Sequence, residues 1–324
     1  MIAVFLVSVS LGKYSVSLPE LVSILFRKII GLEQTWADTT DVALFNIRIP
    51  RIFVAAIVGA SLSVAGAVYQ GLFRNPMASP DILGASAGAG FGAAVAIMVG
   101  LNTFAINGSS FLFGISAVLL CYSIARLVSH SNNMTFTLIL TGLVTSSMFT
   151  SFTSILKFVA DPNDKLPAIT FWLMGGLNSV ILSRVTVFLI PVIIAIIPIF
   201  LLRWQLNIIA FGDEEAKSLG TDVKRIRGVM IICATLLTAA TVAIAGLIGW
   251  VGLIIPHVAR LIVGPNYKGL IPASAIIGAI FLMIVDDIAR CAVSVEIPLG
   301  ILTGIIGGPF FIYLLFKGRR NNAA

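Results

Sequence analysis

Charge is the scarcest property of this chain. Of its 324 residues, 11% are charged and 58% are hydrophobic, whereas soluble domains carry about 25% charged residues. A soluble globule could not cover its surface with so few polar side chains, but a chain surrounded by lipid needs no such cover. The composition excludes a soluble fold and predicts an all-α, polytopic membrane protein with one transmembrane domain over 1–324.

Cysteines and acids within apolar runs are also scarce. Cys121, Cys233 and Cys291 share no CxxC spacing, so we interpret them as apolar packing residues. The long apolar runs have no acid at their centres, where proton- or sodium-coupled carriers keep ionisable groups. This pattern disfavours a secondary carrier and the passage of a bare metal ion. A path with few charged side chains favours a bulky solute instead.

A phosphate-binding loop is missing from the sequence. Lys217-Ser218 has the required last two residues, but the first glycine of the motif would fall at Phe211. Nucleotide hydrolysis must therefore come from another polypeptide, and we expect neither enzyme activity nor a bound cofactor in this chain. The net charge of +7 is explained by basic residues at span ends and in short loops, so nucleic acid is not an expected partner.

Uncharged runs predict about ten transmembrane helices, each needing about 17–25 apolar residues. They lie near 1–12, 52–73, 82–100, 111–125, 134–156, 185–202, 229–247, 249–262, 269–285 and 297–316. The first run is short, which indicates either a shortened helix or a start placed inside the true first span. The segments 13–50 and 157–184 are each long enough for a short surface helix.

Two basic clusters set the expected orientation, the 203–227 loop and the tail at 317–320. Positively charged loops stay in the cytoplasm, so both clusters are predicted to be cytoplasmic. An even number of crossings must separate them, which requires 228–263 to cross twice. Both termini are then cytoplasmic in a multi-pass protein of the cytoplasmic membrane.

Small residues and short repeats mark the apolar runs. The segment 84–94 consists largely of glycine, alanine and serine, and we favour tight helix packing over pore lining as its role. The triplet at 140–142 recurs at 302–304, and that at 64–66 is echoed at 244–246. An inverted repeat is a common transporter design, although matches of three apolar residues also arise by chance.

The cytoplasmic loop at about 204–227 carries its own helix signals. Three acids at 213–215 follow Gly212 and suit the start of a short helix, and Gly220 suits its end. A second short helix could start after Thr221. The segment is either a solvated connector or a docking element for a cytoplasmic partner.

Five ordered motifs carry a family resemblance. They are RIPRIFVAAIVGASLSVAGAVYQGLFRNPMASPDILGASAGAG (48–90), FWLMGGL (171–177), GDEEAKSLG (212–220), GLIGWVGLIIPHVARLIVG (246–264) and IPLGILTGIIGGPFFIYLL (297–315). Together they resemble the FecCD-type permeases of ABC importers for iron-siderophores, haem and cobalamin, over essentially the whole chain. The resemblance implies a cobalamin-importer-permease-like bundle of ten helices in a bacterial or archaeal membrane. It also implies a dimer with a second copy or a close paralogue, ABC ATPase subunits that bind ATP and magnesium on the cytoplasmic side, and a substrate-binding protein outside.

The resemblance also implies roles for three sets of residues. Arginines that would face outward and receive acids of the binding protein are Arg48, Arg51 and Arg290, although arginines at span ends are ordinarily headgroup anchors. Residues that would contact the ATPase are Gly212, Asp213, Glu214, Glu215, Ala216, Leu219 and Gly220. Residues that would lie near the inner mouth of the path are Asn75, Met77 and Thr135. The paired Asp286-Asp287 departs from the single acid expected in the family.

The leading hypothesis is therefore the membrane subunit of an ATP-driven importer for a metal chelate, with a ferric siderophore as the expected substrate. Related permeases also take haem, cobalamin and oxyanions such as molybdate, because recognition lies largely in the binding protein. The alternative is a secondary carrier or channel for a small organic solute that works without an ATPase.

Overall fold

The computed structural model describes residues 1–12, 16–32, 36–128, 134–178, 180 and 182–321, and within these ranges the regular structure is entirely helical. This confirms the predicted fold class. The α-helices are α1 (Ile2–Ser10), α2 (Leu18–Ile30), α3 (Asp38–Asp41), α4 (Ile49–Leu72), α5 (Ala85–Val99), α6 (Thr103–Val128), α7 (Met134–Val159), α8 (Lys165–Met174), α9 (Leu182–Leu202), α10 (Gln205–Phe211), α11 (Asp213–Ser218), α12 (Val223–Ala245), α13 (Val251–Val263), α14 (Tyr267–Cys291) and α15 (Leu299–Asn321). A π-helical segment (Val42–Arg48) joins α3 to α4, and a 3-10 turn (Pro80–Leu83) precedes α5.

Every predicted span coincides with a helix. In the part of the chain that the structure describes, six helical segments are long and apolar enough to cross a bilayer: Asp38–Leu72, Thr103–Val128, Met134–Val159, Val185–Leu202, Val223–Ala245 and Tyr267–Cys291. Three shorter apolar helices are Ala85–Val99, Val251–Val263 and Leu299–Tyr313. The chain is thus a multi-pass membrane protein, and the count of ten crossings and the cytoplasmic termini stay predictions. The two segments expected to carry short surface helices contain α2 and α8.

Three expectations at the helix ends were wrong. Helix α6 begins at Thr103 rather than near residue 111, because Asn102 caps it by accepting the Ala105 N–H at 3.0 Å. Helix α14 continues through Asp286 to Cys291, since internal ion pairs compensate its charges. Cys291 is exposed at the end of this helix, whereas Cys121 and Cys233 are buried as expected.

Helix α4 lies at the centre of the bundle and is buried along most of its length, against α12, α13 and α14. The buried Tyr69 hydroxyl lies 3.1 Å from Thr235 of α12. Helix α5 packs closely on α6: a Cβ added at Gly92 would lie 2.6 Å from the Ser109 carbonyl oxygen. The small residues of 84–94 therefore serve close packing here, as favoured from the sequence.

Three glycine-rich motifs of the sequence meet where helices break. Gly246 ends α12 at a φ of +67°, and the Gly176 N–H reaches the Ala245 carbonyl at 2.8 Å. The Leu299 N–H at the start of α15 bonds to the Gly175 carbonyl at 3.0 Å. The non-helical backbone of these segments is thus hydrogen-bonded to neighbouring protein, as would be required inside a membrane. Because Gly66 lies inside α4 whereas Gly246 ends a helix, the matched triplets 64–66 and 244–246 occupy different local structures.

Candidate functional site

The structure brings together the three arginines predicted to lie on the outer side, at one end of α4 and α14. Arg51 binds Asp286 at 2.8 Å and Glu296 at 2.9 Å. Arg290 approaches Asp286 at 3.4 Å and pairs with Asp287. We call these five residues, together with Arg48, the arginine–carboxylate network. Its three positive and three negative side chains balance.

Two arginines of this network also cap α1. Arg48 Nη1 donates to the Val9 carbonyl at 3.1 Å, while Arg290 donates to the carbonyls of Ser8 at 2.5 Å and Leu11 at 3.0 Å. The last carbonyls of a helix have no partner within the helix and carry partial negative charge, so guanidinium groups stabilise them. The network therefore ties α1 to α4 and α14.

Burial distinguishes this arrangement from the predicted docking patch. Arg48, Arg51 and Arg290 are 6%, 8% and 6% exposed, and each has partners inside the chain. The side chain of Glu296 is the most exposed carboxylate of the network, at 28%. Sequence reasoning missed these partners, although the spacing of Asp286 and Asp287 from Arg290, four and three residues along one helix, signalled contact.

The loop at 204–227 forms the helix that its acids predicted. Helix α11 starts at Asp213, and Gly220 follows it at a φ of +77°. Asp222 then caps α12 by accepting the Arg225 N–H at 3.1 Å, so the second predicted helix is the first turn of α12. The preceding helix α10 was not predicted.

Helix α11 is held to the bundle on one side only. Ala216 is buried against Ile208 and Val223, and Arg227 of α12 binds Asp213 at 2.8 Å. Burial alone would raise the pKa of the Asp213 carboxyl, but the hydrogen bond and charge of Arg227 outweigh it and hold that pKa below its ordinary value. The acids that follow, together with the apolar residues on either side, are exposed: Phe211, Glu214, Glu215 and Leu219.

The residues predicted to lie near the inner mouth occupy the same region as this helix. Asn75 accepts the Met77 N–H at 2.9 Å in the turn after α4, and both residues are exposed. Thr135 lies half-buried in the first turn of α7 and, with Arg74 and the acids at 213–215, lines a cavity of about 700 Å³. Arg74 and Arg227 were missed from sequence, because nothing in the spacing of the chain shows that α4, α7 and α12 meet α11 here.

Comparison with known proteins gives a consistent picture. The FecCD transport family matches residues 1–317. The molybdate import permease MolB of Haemophilus influenzae is 37% identical over 97% of this chain and 92% of its own. The hemin transport permease HmuU of Yersinia pestis is 30% identical over 91% and 90%.

A solved structure agrees along the whole fold. An inward-facing metal-chelate type ABC transporter superposes with a TM-score of 0.87 at 34% identity, covering 98% of this chain and 96% of its own. These relatives are permease subunits of ABC transporters, which are not themselves enzymes. The chain accordingly belongs to the FecCD transport family.

Proposed function

We propose that this permease forms the membrane path of a binding-protein-dependent importer that carries a ferric siderophore into the cytoplasm, while a partner subunit hydrolyses ATP. The observation that carries the proposal is α11, which is fixed to the bundle at Asp213 and Ala216 yet presents exposed acids and apolar side chains away from it. Membership of the FecCD family already implies ATPase and permease partners. The binding protein, the identical second subunit and the siderophore are the added parts of the proposal.

The exposed surface of α11 and its flanks has the composition of a protein-docking site. Phe211 and Leu219 are 77% and 67% exposed, on either side of the exposed carboxylates Glu214 and Glu215. Large apolar residues bordered by charge are typical of interfaces, where the apolar part contributes affinity and the charges contribute orientation. An ATPase subunit is the partner that this cytoplasmic surface would receive.

One face of α7 supports a polar path at a subunit interface. Ser147, Thr150, Ser151 and Ser154 are exposed and recur at i, i+3, i+4 and i+7, which places them on one side of the helix. Ser154 donates to the Thr150 carbonyl at 3.0 Å, but lipid offers no partner to the remaining hydrogen-bonding capacity of these hydroxyls. This face therefore suits a water-filled path beside a second subunit. Neutral hydroxyls can also exchange hydrogen bonds with the oxygen atoms of a metal chelate.

Relatives point to iron chelates without deciding the substrate. A probable iron chelatin permease of Helicobacter pylori is 36% identical over 87% of this chain and 85% of its own. The molybdate permease matches more of the chain, at 37% identity over 97% of it, so molybdate is the competing substrate in the test of this proposal. At the outer face, a carboxylate of the binding protein would reach Arg51 by exchanging with the partly exposed Glu296. At the inner face, Asn75, Met77 and Thr135 would form the uncharged gate.

Reconstituted transport tests the function. We expect vesicles containing the permease and its ATPase to import a radiolabelled ferric siderophore only when ATP and the binding protein are both present. Molybdate and cobalamin serve as competing substrates. Uptake driven by a proton gradient without the ATPase would contradict the importer assignment, and ATP-driven uptake of molybdate in place of the chelate would contradict the siderophore.

Reversal of charge on α11 should abolish transport. In a Glu214→Lys, Glu215→Lys variant the contact surface changes from acidic to basic, so like charges of an ATPase partner would oppose each other at the interface. The permease should still insert, because both side chains are exposed. Co-purification of the ATPase and ATP-driven uptake are the measurements.

The control for this charge reversal is Glu20→Lys, which changes an exposed acid on α2 in a segment predicted to be external. It should leave transport and ATPase association unchanged. Undiminished ATPase association in the double variant would remove α11 from the interface.

A further inference from the structure

An ion pair between Asp213 and Arg227 joins α11 to α12, and the arginine of this pair is buried. Arg227 Nη2 lies 2.8 and 3.0 Å from the two carboxylate oxygens of Asp213, and the side chains are 7% and 35% exposed respectively. Reduced exposure limits screening by salt and strengthens a charge-assisted hydrogen bond. A helix as short as α11 is not stable alone, so its orientation depends on this pair and on Ala216.

A second arginine, from a different element, lines the same cavity as this carboxylate. Arg74 lies in the turn after α4 at a φ of +51°, a region that a non-glycine residue rarely adopts. Its charge acts on Asp213, and both residues line the cavity of about 700 Å³ beside Thr135. Arg74 directly precedes Asn75, the residue whose side chain shapes the turn at the inner mouth. Asp213 is therefore ion-paired with Arg227 of α12 and shares a cavity with Arg74 of the turn after α4.

We infer that Arg227 and Arg74 are positioning residues that hold α11 through Asp213, so that α11 moves together with α12 and with the turn after α4. This inference rests on the proposed function, because the movement in question is driven by the ATPase that α11 would contact. Glu214 and Glu215 face the partner, whereas Asp213 faces the bundle. Asp213 thus transmits movement between α11 and the bundle, whereas Glu214 and Glu215 bind the ATPase.

The test compares neutral variants of the pair in the reconstituted importer. We expect Arg227→Gln to retain the ATPase but to raise the ATP hydrolysed per substrate imported by about tenfold, a typical size for coupling between two sites. Asp213→Asn should raise this ratio of ATP to substrate similarly. The double variant should have the same ratio as either single variant, because each substitution removes the same Asp213–Arg227 interaction. Arg74→Gln should have a smaller effect that salt suppresses, since Arg74 is exposed.

Arg225→Gln is the matched control, because Arg225 lies two residues before Arg227 on α12 but is exposed. Its ratio of ATP to substrate should equal that of the wild type. A wild-type ratio in Arg227→Gln would overturn the inference, and so would loss of ATPase association, since the pair would then serve assembly. If Arg227→Gln does not fold, the ratio in Asp213→Asn decides, with recovery in Asp213→Glu expected. Absence of ATP-driven import by the wild type would instead refute the proposed function.

Discussion

Replacement of Gly66 by alanine is expected to prevent the permease from folding stably. A Cβ at this position would lie 1.7 Å from the carbonyl oxygen of Gly252, so α4 and α13 touch backbone to backbone. Overpacking in a core costs about 1–3 kcal/mol when side chains can adjust. Here only the helices themselves can move apart, so we expect a loss above that range. The measurement is the yield of monodisperse protein and its thermal unfolding in detergent.

Gly228→Ala is the matched control for this substitution. Gly228 also lies inside a helix, but nothing lies within 4 Å of the added Cβ. Alanine is the better helix former by about 1 kcal/mol, so this variant should be as stable as the wild type or more so. Equal stability of the two variants would show that α4 and α13 are not in close contact.

The sequence predicted the helical class and the position of each apolar helix, because long uncharged runs carry that information locally. The signals for α11 are also local, because its acids, Gly212 and Gly220 lie within one short segment. The helix limits were less predictable. Helix α14 continues past Asp286 because Arg51, from a distant part of the chain, binds its carboxylate.

The candidate sites show the same difference between local signals and contacts with distant parts of the chain. The resemblance named Arg48, Arg51 and Arg290 as a set, and the structure does place them together. Their burial could not be predicted, because it depends on carboxylates of α14 and on the carbonyls at the end of α1. Arg227 looked like one basic residue among several in a cytoplasmic cluster. Only its packing shows that it differs from its exposed neighbour Arg225.

Neutralisation of Asp286 should destabilise the bundle more than neutralisation of Glu296, the partly exposed carboxylate of the arginine–carboxylate network. Asp286 is fully buried and binds both Arg51 and Arg290. Removal of one partner from a buried ion pair costs about 3–5 kcal/mol, and here it would leave the three arginines of the network with only the carboxylates of Asp287 and Glu296. We therefore expect Asp286→Asn, which keeps the size of the side chain, to lower the free energy of unfolding by about that amount. Thermal unfolding in detergent, followed by size-exclusion chromatography, measures the loss.

Glu296→Gln provides the comparison within the same network. Its carboxylate also binds Arg51, but its side chain is 28% exposed, so water can compensate for the lost charge and the cost should be about 0–1 kcal/mol. A second substitution, Arg51→Met, should restore part of the stability lost in Asp286→Asn, because it removes a cation that has lost its buried partner. Equal losses for Asp286→Asn and Glu296→Gln would contradict the argument from burial. If Arg51→Met adds its own full cost to that of Asp286→Asn, the two side chains do not act as a pair.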